Sequence, residues 1–128
     1  MVQKQVFKLG ELQLKIMKIL WERAETGVGE VHQALSKDGS WAYTTIATML
    51  RKMEARGLVR HRVEDRKFLY RPAVKAAEVA HSLSAHLLER LFEGSLADMV
   101  AHLLTTGQVS RHELDRLEKL ISERKRKL

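Results

Sequence analysis

Cysteine is absent from this 128-residue chain, which excludes a disulfide framework, a thiolate metal site and a cysteine nucleophile. Proline occurs once and glycine seven times, so helix breakers are few and each one is informative. Aromatic residues make up 5% of the chain, which argues against single-strand nucleic-acid binding by base stacking. No apolar run approaches the length of a membrane span, and Met1-Val2-Gln3-Lys4-Gln5 lacks the apolar core of a signal peptide. A cytoplasmic location, with no membrane partner, is therefore expected. The length suits one compact unit, or two small ones sharing a core, and excludes a large multidomain catalyst.

What the chain does have is apolar content and positive charge. Hydrophobic residues reach 45%, enough for a genuine core, and 23 Lys and Arg against 16 Asp and Glu leave a formal +7. That excess favours a polyanionic partner, nucleic acid first and an anionic membrane surface second. Residues 1–72 hold 14 Lys and Arg against 8 Asp and Glu, a net of +6, whereas the remainder holds 9 against 8. Within that remainder, Arg124-Lys125-Arg126-Lys127 forms a basic tail on an otherwise mildly acidic segment.

Hydrophobic periodicity predicts a first helix over about Gly10–Ala24, with stripes of Leu12, Ile16 and Ile19 and of Leu14, Met17, Trp21 and Ala24 burying it on two sides. Glu25-Thr26-Gly27 breaks it. A shorter helix over about Gly29–Lys37 follows, with Val28, Val31 and Leu35 apolar, and it closes at Asp38-Gly39. Ser40-Trp41-Ala42-Tyr43-Thr44-Thr45 leads into a third helix whose Ile46, Met49, Leu50 and Met53 turn inward, and Gly57 stops it. After Gly57 the period changes. Leu58–Val63 and Lys67–Arg71 are β-like runs around the turn-compatible Glu64-Asp65-Arg66, a charged hairpin ending at Pro72. Three helices followed by a hairpin is the order of a winged helix-turn-helix, in which the third helix enters a DNA major groove and the hairpin is the wing.

With Ile46, Met49, Leu50 and Met53 inward, helical geometry turns Thr44, Thr48 and Arg51 outward, with Thr45, Ala47 and Lys52 on the flanks. Thr bonds base edges or phosphates and offers a methyl to thymine, and Arg pairs with guanine or clasps a phosphate. Ala42 and Ala47 are small enough for close approach. For one of Thr44 and Thr45, helix capping competes evenly with base contact; Lys52 and Arg56 suit phosphate or solvent. Along the hairpin, Arg60, Arg62, Arg66, Lys67 and Arg71 form a run of cations. On an isolated hairpin this would be a solvated face. Beside a recognition helix, a wing carrying Arg62, Arg66 and Lys67 can follow the backbone or enter the minor groove, while Phe68 and Tyr70 read as core or sheet-face residues.

Beyond Pro72 the chain returns to helix. Val79, Leu83, Leu87 and Leu91 recur at fourfold spacing until Gly94; Ser95 with Asp98 caps a helix bearing Leu96, Met99, Val100, Leu103 and Leu104; and Ser110 with Glu113 opens a last helix bearing Leu114, Leu117, Leu120 and Ile121. Three amphipathic helices in so short a segment retain too little interior to bury such faces on one another. A second copy of the chain resolves this. The expected organisation is a mainly α chain with a small β-hairpin: a winged helix-turn-helix over 1–73 and a helical dimerisation region over 74–128, joined through Leu83, Leu87, Leu91, Leu96, Met99, Val100, Leu103, Leu114, Leu117 and Ile121.

The succession Leu20-Trp21-Glu22, Glu30-Val31-His32, Tyr43-Thr44-Thr45-Ile46-Ala47-Thr48-Met49-Leu50, Arg51-Lys52-Met53, Gly57-Leu58-Val59 and Tyr70-Arg71-Pro72 resembles the penicillinase-repressor family. This is the BlaI and MecI type, to which the copper-responsive CopY repressors are related. The likeness is dense over residues 9–74 and looser, though in register, through Gly94-Ser95-Leu96 and Glu113-Leu114-Asp115-Arg116-Leu117. It implies a homodimeric repressor on a palindromic double-stranded DNA operator, controlling an antibiotic- or stress-resistance gene. By this resemblance Tyr43 to Arg51 match the recognition helix, which adds Tyr43 to Ala42, Thr44, Thr45, Thr48, Arg51 and Lys52 as DNA-contacting residues, and the stretch after Pro72 matches the dimerisation part. Two departures concern the inducing signal. Antibiotic-responsive members are inactivated by proteolysis at an Asn-Phe bond, and His102-Leu103 stands there in this chain; the copper-responsive branch carries paired cysteines, and this chain has none. Release by a regulatory protease or by a small-molecule inducer stays open.

The six histidines include no pair at i, i+4, and Asp98 with His102 or His112 with Asp115 are ordinary surface pairs, so no metal or cofactor is expected. No nucleophile elbow, HExxH, phosphate loop or spaced carboxylate pair is present, so no enzyme is expected. A winged-helix protein-interaction adaptor and a ligand-sensing regulator are the competing readings. An adaptor face would carry exposed apolar anchors, and the outward residues of the third helix are Thr, Ala, Lys and Arg instead.

Overall fold

A computed structural model describes residues 9–37, 39 and 41–128. The readings made at the N-terminal pentapeptide, Asp38 and Ser40 lie outside the described residues. Nine elements follow in order: α1 (Glu11–Arg23), β1 (Thr26–Gly27), α2 (Val28–Leu35), α3 (Tyr43–Ala55), β2 (Val59–Glu64), β3 (Lys67–Pro72), α4 (Ala76–Phe92), α5 (Leu96–Thr106) and α6 (Arg111–Arg126). Three helices and a hairpin followed by three helices is the expected winged-helix order. None of these helices is long and apolar enough to cross a membrane.

Helix α1 starts at Gly10, whose N–H donates to the Gln13 side chain (3.0 Å). Ile16, Met17 and Leu20 are buried, with Leu12, Ile19 and Trp21 packed partly against the same core, so the buried face takes one residue from each expected stripe and Leu20 from neither. Helix α3 buries Ile46, Leu50 and Met53. It ends where Gly57 adopts φ +79, with the Gly57 N–H donating to Glu54 O and the Leu58 N–H to Met53 O, both 3.0 Å. Both bonds satisfy carbonyls that a helix end leaves open, and Leu58, 1% exposed, seals the turn.

Strand β1 was not legible in the sequence, where Glu25-Thr26-Gly27 read only as a breaker. Two residues carry no periodicity, yet Thr26 pairs with Tyr70 and Gly27 with Leu69, which makes the sheet three-stranded and antiparallel in the order β1-β3-β2. The hairpin joins β2 to β3 through Asp65 and Arg66 alone, both at positive φ (49 and 66). That is the signature of a type I′ turn, whose twist matches that of the flanking strands. Successive pairs from Glu64–Lys67 back to Val59–Pro72 alternate between hydrogen-bonded and open, so Pro72 faces Val59 where no N–H is required.

By backbone contacts the chain divides into two compact units that meet at Ser84 and Ala85. The first holds the core of Ile16, Met17, Leu20, Val31, Leu35, Ile46, Leu50, Met53, Leu58, Val59, Tyr70 and Val79. Trp21 Nε1 donates to Val74 O (2.9 Å), tying α1 to the chain just past the hairpin. The opening turns of α4 belong to this unit, since Val79 is buried in its core and Leu83 packs against it. Leu83, expected at a dimer interface, is half-buried in the single chain and packs against the first core: fourfold spacing marks an apolar stripe without saying what covers it. In the second unit Ser95 Oγ accepts from Asp98 N and Ser110 Oγ from Glu113 N, each at 3.1 Å, so both expected caps form. A Cβ at Gly107 would lie 2.7 Å from Leu103 O, which is why α5 closes on glycine.

Candidate nucleic-acid interface

The outward surface of α3 is built by its first two turns. Ala42 is the N-cap and makes no side-chain capping bond; Thr44 and Thr45 therefore stand in the first helical turn, exposed, and neither caps the helix. Tyr43 is 52% exposed and meets the His32 ring edge-on at 5.9 Å. A turn further, Thr48 is half-buried, and Arg51 Nη2 donates to its hydroxyl at 3.3 Å. Thr44, Thr45, Thr48, Met49 and Lys52 line a shallow groove on one side of the helix. Tyr43, Ala47 and Arg51 line the other side, which faces the wing.

Between α2, α3 and the wing lies a cleft of about 550 Å³, bordered by Gly29, Glu30, Gln33, Tyr43, Ala47, Arg51, Arg66, Lys67, Phe68 and Tyr70. It brings together Arg51 of the helix and Arg66 and Lys67 of the turn. Among the described residues no ion pair is recorded for these three cations, so their charge is available to a ligand. Arg66 holds a positive φ at a position where glycine is the least strained residue. A guanidinium is thus kept at the wing tip against local conformational preference, a pattern found at functional sites.

Arg62 is arranged differently from the other wing cations. Its Nε donates to Glu25 Oε2 at 2.7 Å, and its Nη2 donates to Glu25 Oε1 at 2.6 Å and to Glu64 Oε2 at 3.0 Å. The hydrogen bonds from Arg62 hold the Glu25 carboxyl below its ordinary value, and those same bonds raise the Arg62 guanidinium. The sequence showed the cation, whereas its partner lies 37 residues away and no local spacing connects them.

Glu54 and His61 were also missed as a pair. Glu54, in the last turn of α3, accepts the His61 backbone N–H at 3.1 Å and the ring Nδ1 at 2.7 and 2.8 Å. A carboxylate only accepts, so Nδ1 carries the proton. The His61 ring stacks on Phe68 with centroids 4.3 Å apart and planes 15° apart. Tyr70, at the base of the same face, is 1% exposed; its phenol is pushed above the ordinary value by burial, with the Glu54 charge adding to the effect.

In the second unit no residue of α5 or α6 is buried. Leu87, Leu91, Leu96, Leu103, Leu114 and Ile121 are exposed, as are Leu104 and Leu120, and Met99, Val100 and Leu117 are half-buried.

A family model described as penicillinase repressor matches residues 9–123. The chain belongs to the penicillinase repressor family. Relatives within it include the penicillinase repressor of Bacillus licheniformis, 30% identical over 122 residues that cover 95% of each chain. The transcriptional regulator BlaI of Mycobacterium tuberculosis is 31% identical over 118 residues, 91% of this chain and 84% of that one. Among solved structures, the DNA-binding domain of the repressor BlaI superposes with a TM-score of 0.52 at 30% identity, covering 59% of this chain and 93% of that domain. Bacillus licheniformis BlaI in monomeric form, in complex with the blaP half-operator, gives a TM-score of 0.51 at 30% identity over the same shares. The repressor-family winged helix anticipated from residues 9–74 is thus the fold observed.

Proposed function

We propose that this repressor-family protein binds a palindromic duplex operator in the cytoplasm as a homodimer, acting by occupancy rather than catalysis. One observation carries the reading: Thr44, Thr48 and Arg51 project from α3 beside a cleft whose other wall carries Arg66 and Lys67. A rod of threonine and arginine suits base edges in a major groove, and the wing cations suit the backbone or minor groove alongside. Bacillus licheniformis BlaI, of the same domain fold, has been solved in complex with the blaP half-operator. Ala42, Tyr43, Thr45 and Lys52 complete the helix surface. Arg62 is given no DNA contact in this reading because Glu25 and Glu64 engage its Nε and Nη2 and offset its charge.

The bare apolar surface of α5 and α6 supports the dimer. Leu96, Leu103, Leu114 and Ile121 are each at least 37% exposed in the single chain, and exposed leucines recurring along two helices mark a face that another protein covers. Two copies would set recognition helices on half-sites separated by roughly 34 Å or a multiple of it. Duplexes selected from a random pool by the intact chain test both statements. A palindrome is expected, and Thr48→Ala and Arg51→Ala should each lose about 1–3 kcal/mol of discrimination at the bases they read. Equal weakening on operator and random duplex would make them phosphate contacts.

A further inference from the structure

Strand β2 is an edge of the sheet, and beyond the reach of β1 the wing is a two-stranded ribbon, which in isolation is marginally stable. Toward its tip the apolar face opens to solvent, with Val63 58% and Phe68 43% exposed, so burial does not set its direction. Two polar ties meet it instead. Side chains alternate along a strand, so His61 and Arg62 leave opposite faces of β2. His61 reaches Glu54 on α3 and stacks on Phe68. Arg62 reaches Glu25, next to β1, through two donors. Glu54 also accepts the His61 backbone N–H, which in this register points away from β3 and would otherwise be an open edge donor.

We propose that Glu54–His61 and Glu25–Arg62 clamp the wing from both faces and set the angle between Arg66–Lys67 and α3. The four are positioning residues, which touch no DNA. The inference rests on the operator-binding reading above, and names what lets one rigid body engage helix and wing contacts together. Without the clamp the tip cations remain, but ordering them on the duplex is added to the binding step, which lowers affinity.

Glu54→Gln and His61→Phe, singly and together, test this on the duplex selected by the intact chain. His61→Phe keeps a ring on Phe68 and removes the Nδ1 donor. Each single variant should lower operator affinity roughly tenfold, the effect of losing a hydrogen bond to a charged group, and the double variant should be no worse than either. The decisive readout is salt dependence. In the parent chain Arg66→Ala with Lys67→Ala should flatten the slope by about 0.9 per lost phosphate contact; in the Glu54→Gln background that pair should change it little. An undiminished slope change there, or additive losses from Glu54→Gln and His61→Phe, overturns the clamp. Should either variant fail to melt cooperatively, Glu25→Gln and Arg62→Lys carry the same comparison from the other face. Amide exchange at His61 without DNA separates the two readings. Faster exchange in Glu54→Gln shows the tie whatever the duplex does, and unchanged exchange overturns it, whereas failure of the parent chain to select any duplex defeats the operator reading itself.

Discussion

The first unit and the second are made of similar residues and bury them very differently. The core from Ile16 to Val79 closes over twelve apolar side chains among the described residues, while α5 and α6 bury none and leave Leu96, Leu103, Leu104, Leu114, Leu120 and Ile121 more than a third exposed. The first is a folded object that a single chain completes. The second has well-capped helices, at Ser95 and Ser110, whose apolar faces stay exposed in the single chain. Serine side chains cap α5 and α6 while the N-caps of α2 and α3 make no side-chain bond, so good local capping does not mark the unit with the finished core.

The sharpest way to break this contrast is to charge the bare face. Leu103→Asp with Ile121→Asp should give a monomer by sedimentation and cut operator affinity by about two to four orders of magnitude, because the second half-site loses its tethered partner. A dimer that persists with unchanged affinity would place the interface elsewhere. Next in size, Leu50→Ala removes fully buried atoms from α3 and should cost about 2–5 kcal/mol at any protein concentration. Leu104→Ala should instead change the melting temperature in a way that depends on concentration, since the proposed dimer covers it with atoms of another chain. Equal, concentration-independent losses for both would erase the distinction between the two units.

Smaller effects sharpen the first unit. The Thr26 hydroxyl is buried and has no hydrogen-bond partner among the described residues, so Thr26→Val should raise stability by about 1 kcal/mol in chemical denaturation. Destabilisation would mean that the hydroxyl is bonded in solution. Smallest are the titrations. Tyr70 is raised above 10.0 in the fold by burial, so its contribution is complete below pH 10 and is lost as pH rises through the raised value; Tyr70→Phe should remove that alkaline loss. Glu25 is lowered below 4.5 by its hydrogen bonds from Arg62, so its contribution is present above pH 4.5 and is lost as pH falls through the lowered value. Melting temperature against pH for Glu25→Gln should lack that acid step.

Much of the site was legible because it obeys helical period. With Ile46, Leu50 and Met53 inward, Thr44, Thr48 and Arg51 have nowhere to point but out, and the breakers Gly57 and Asp65-Arg66 frame the wing. What escaped was held by pairings across the chain. Strand β1 exists only because β3 is there to pair with it; Arg62 looked like its neighbours until Glu25 was brought beside it; and Leu83 continued the stripe of Leu87 and Leu91 while packing on the first core, where they stand exposed.

The sequence by itself determined the element order, the outward threonines and arginine of α3, and the concentration of positive charge in the first seventy-odd residues, because these follow from spacing and composition. Only the tertiary structure decided which cations are free. Charge neutralisation acts through space over a few ångströms, and Arg62 and Arg66, four residues apart in one wing, end as an ion-paired strut and a tip with no ion pair among the described residues, because Glu25 reaches only the first.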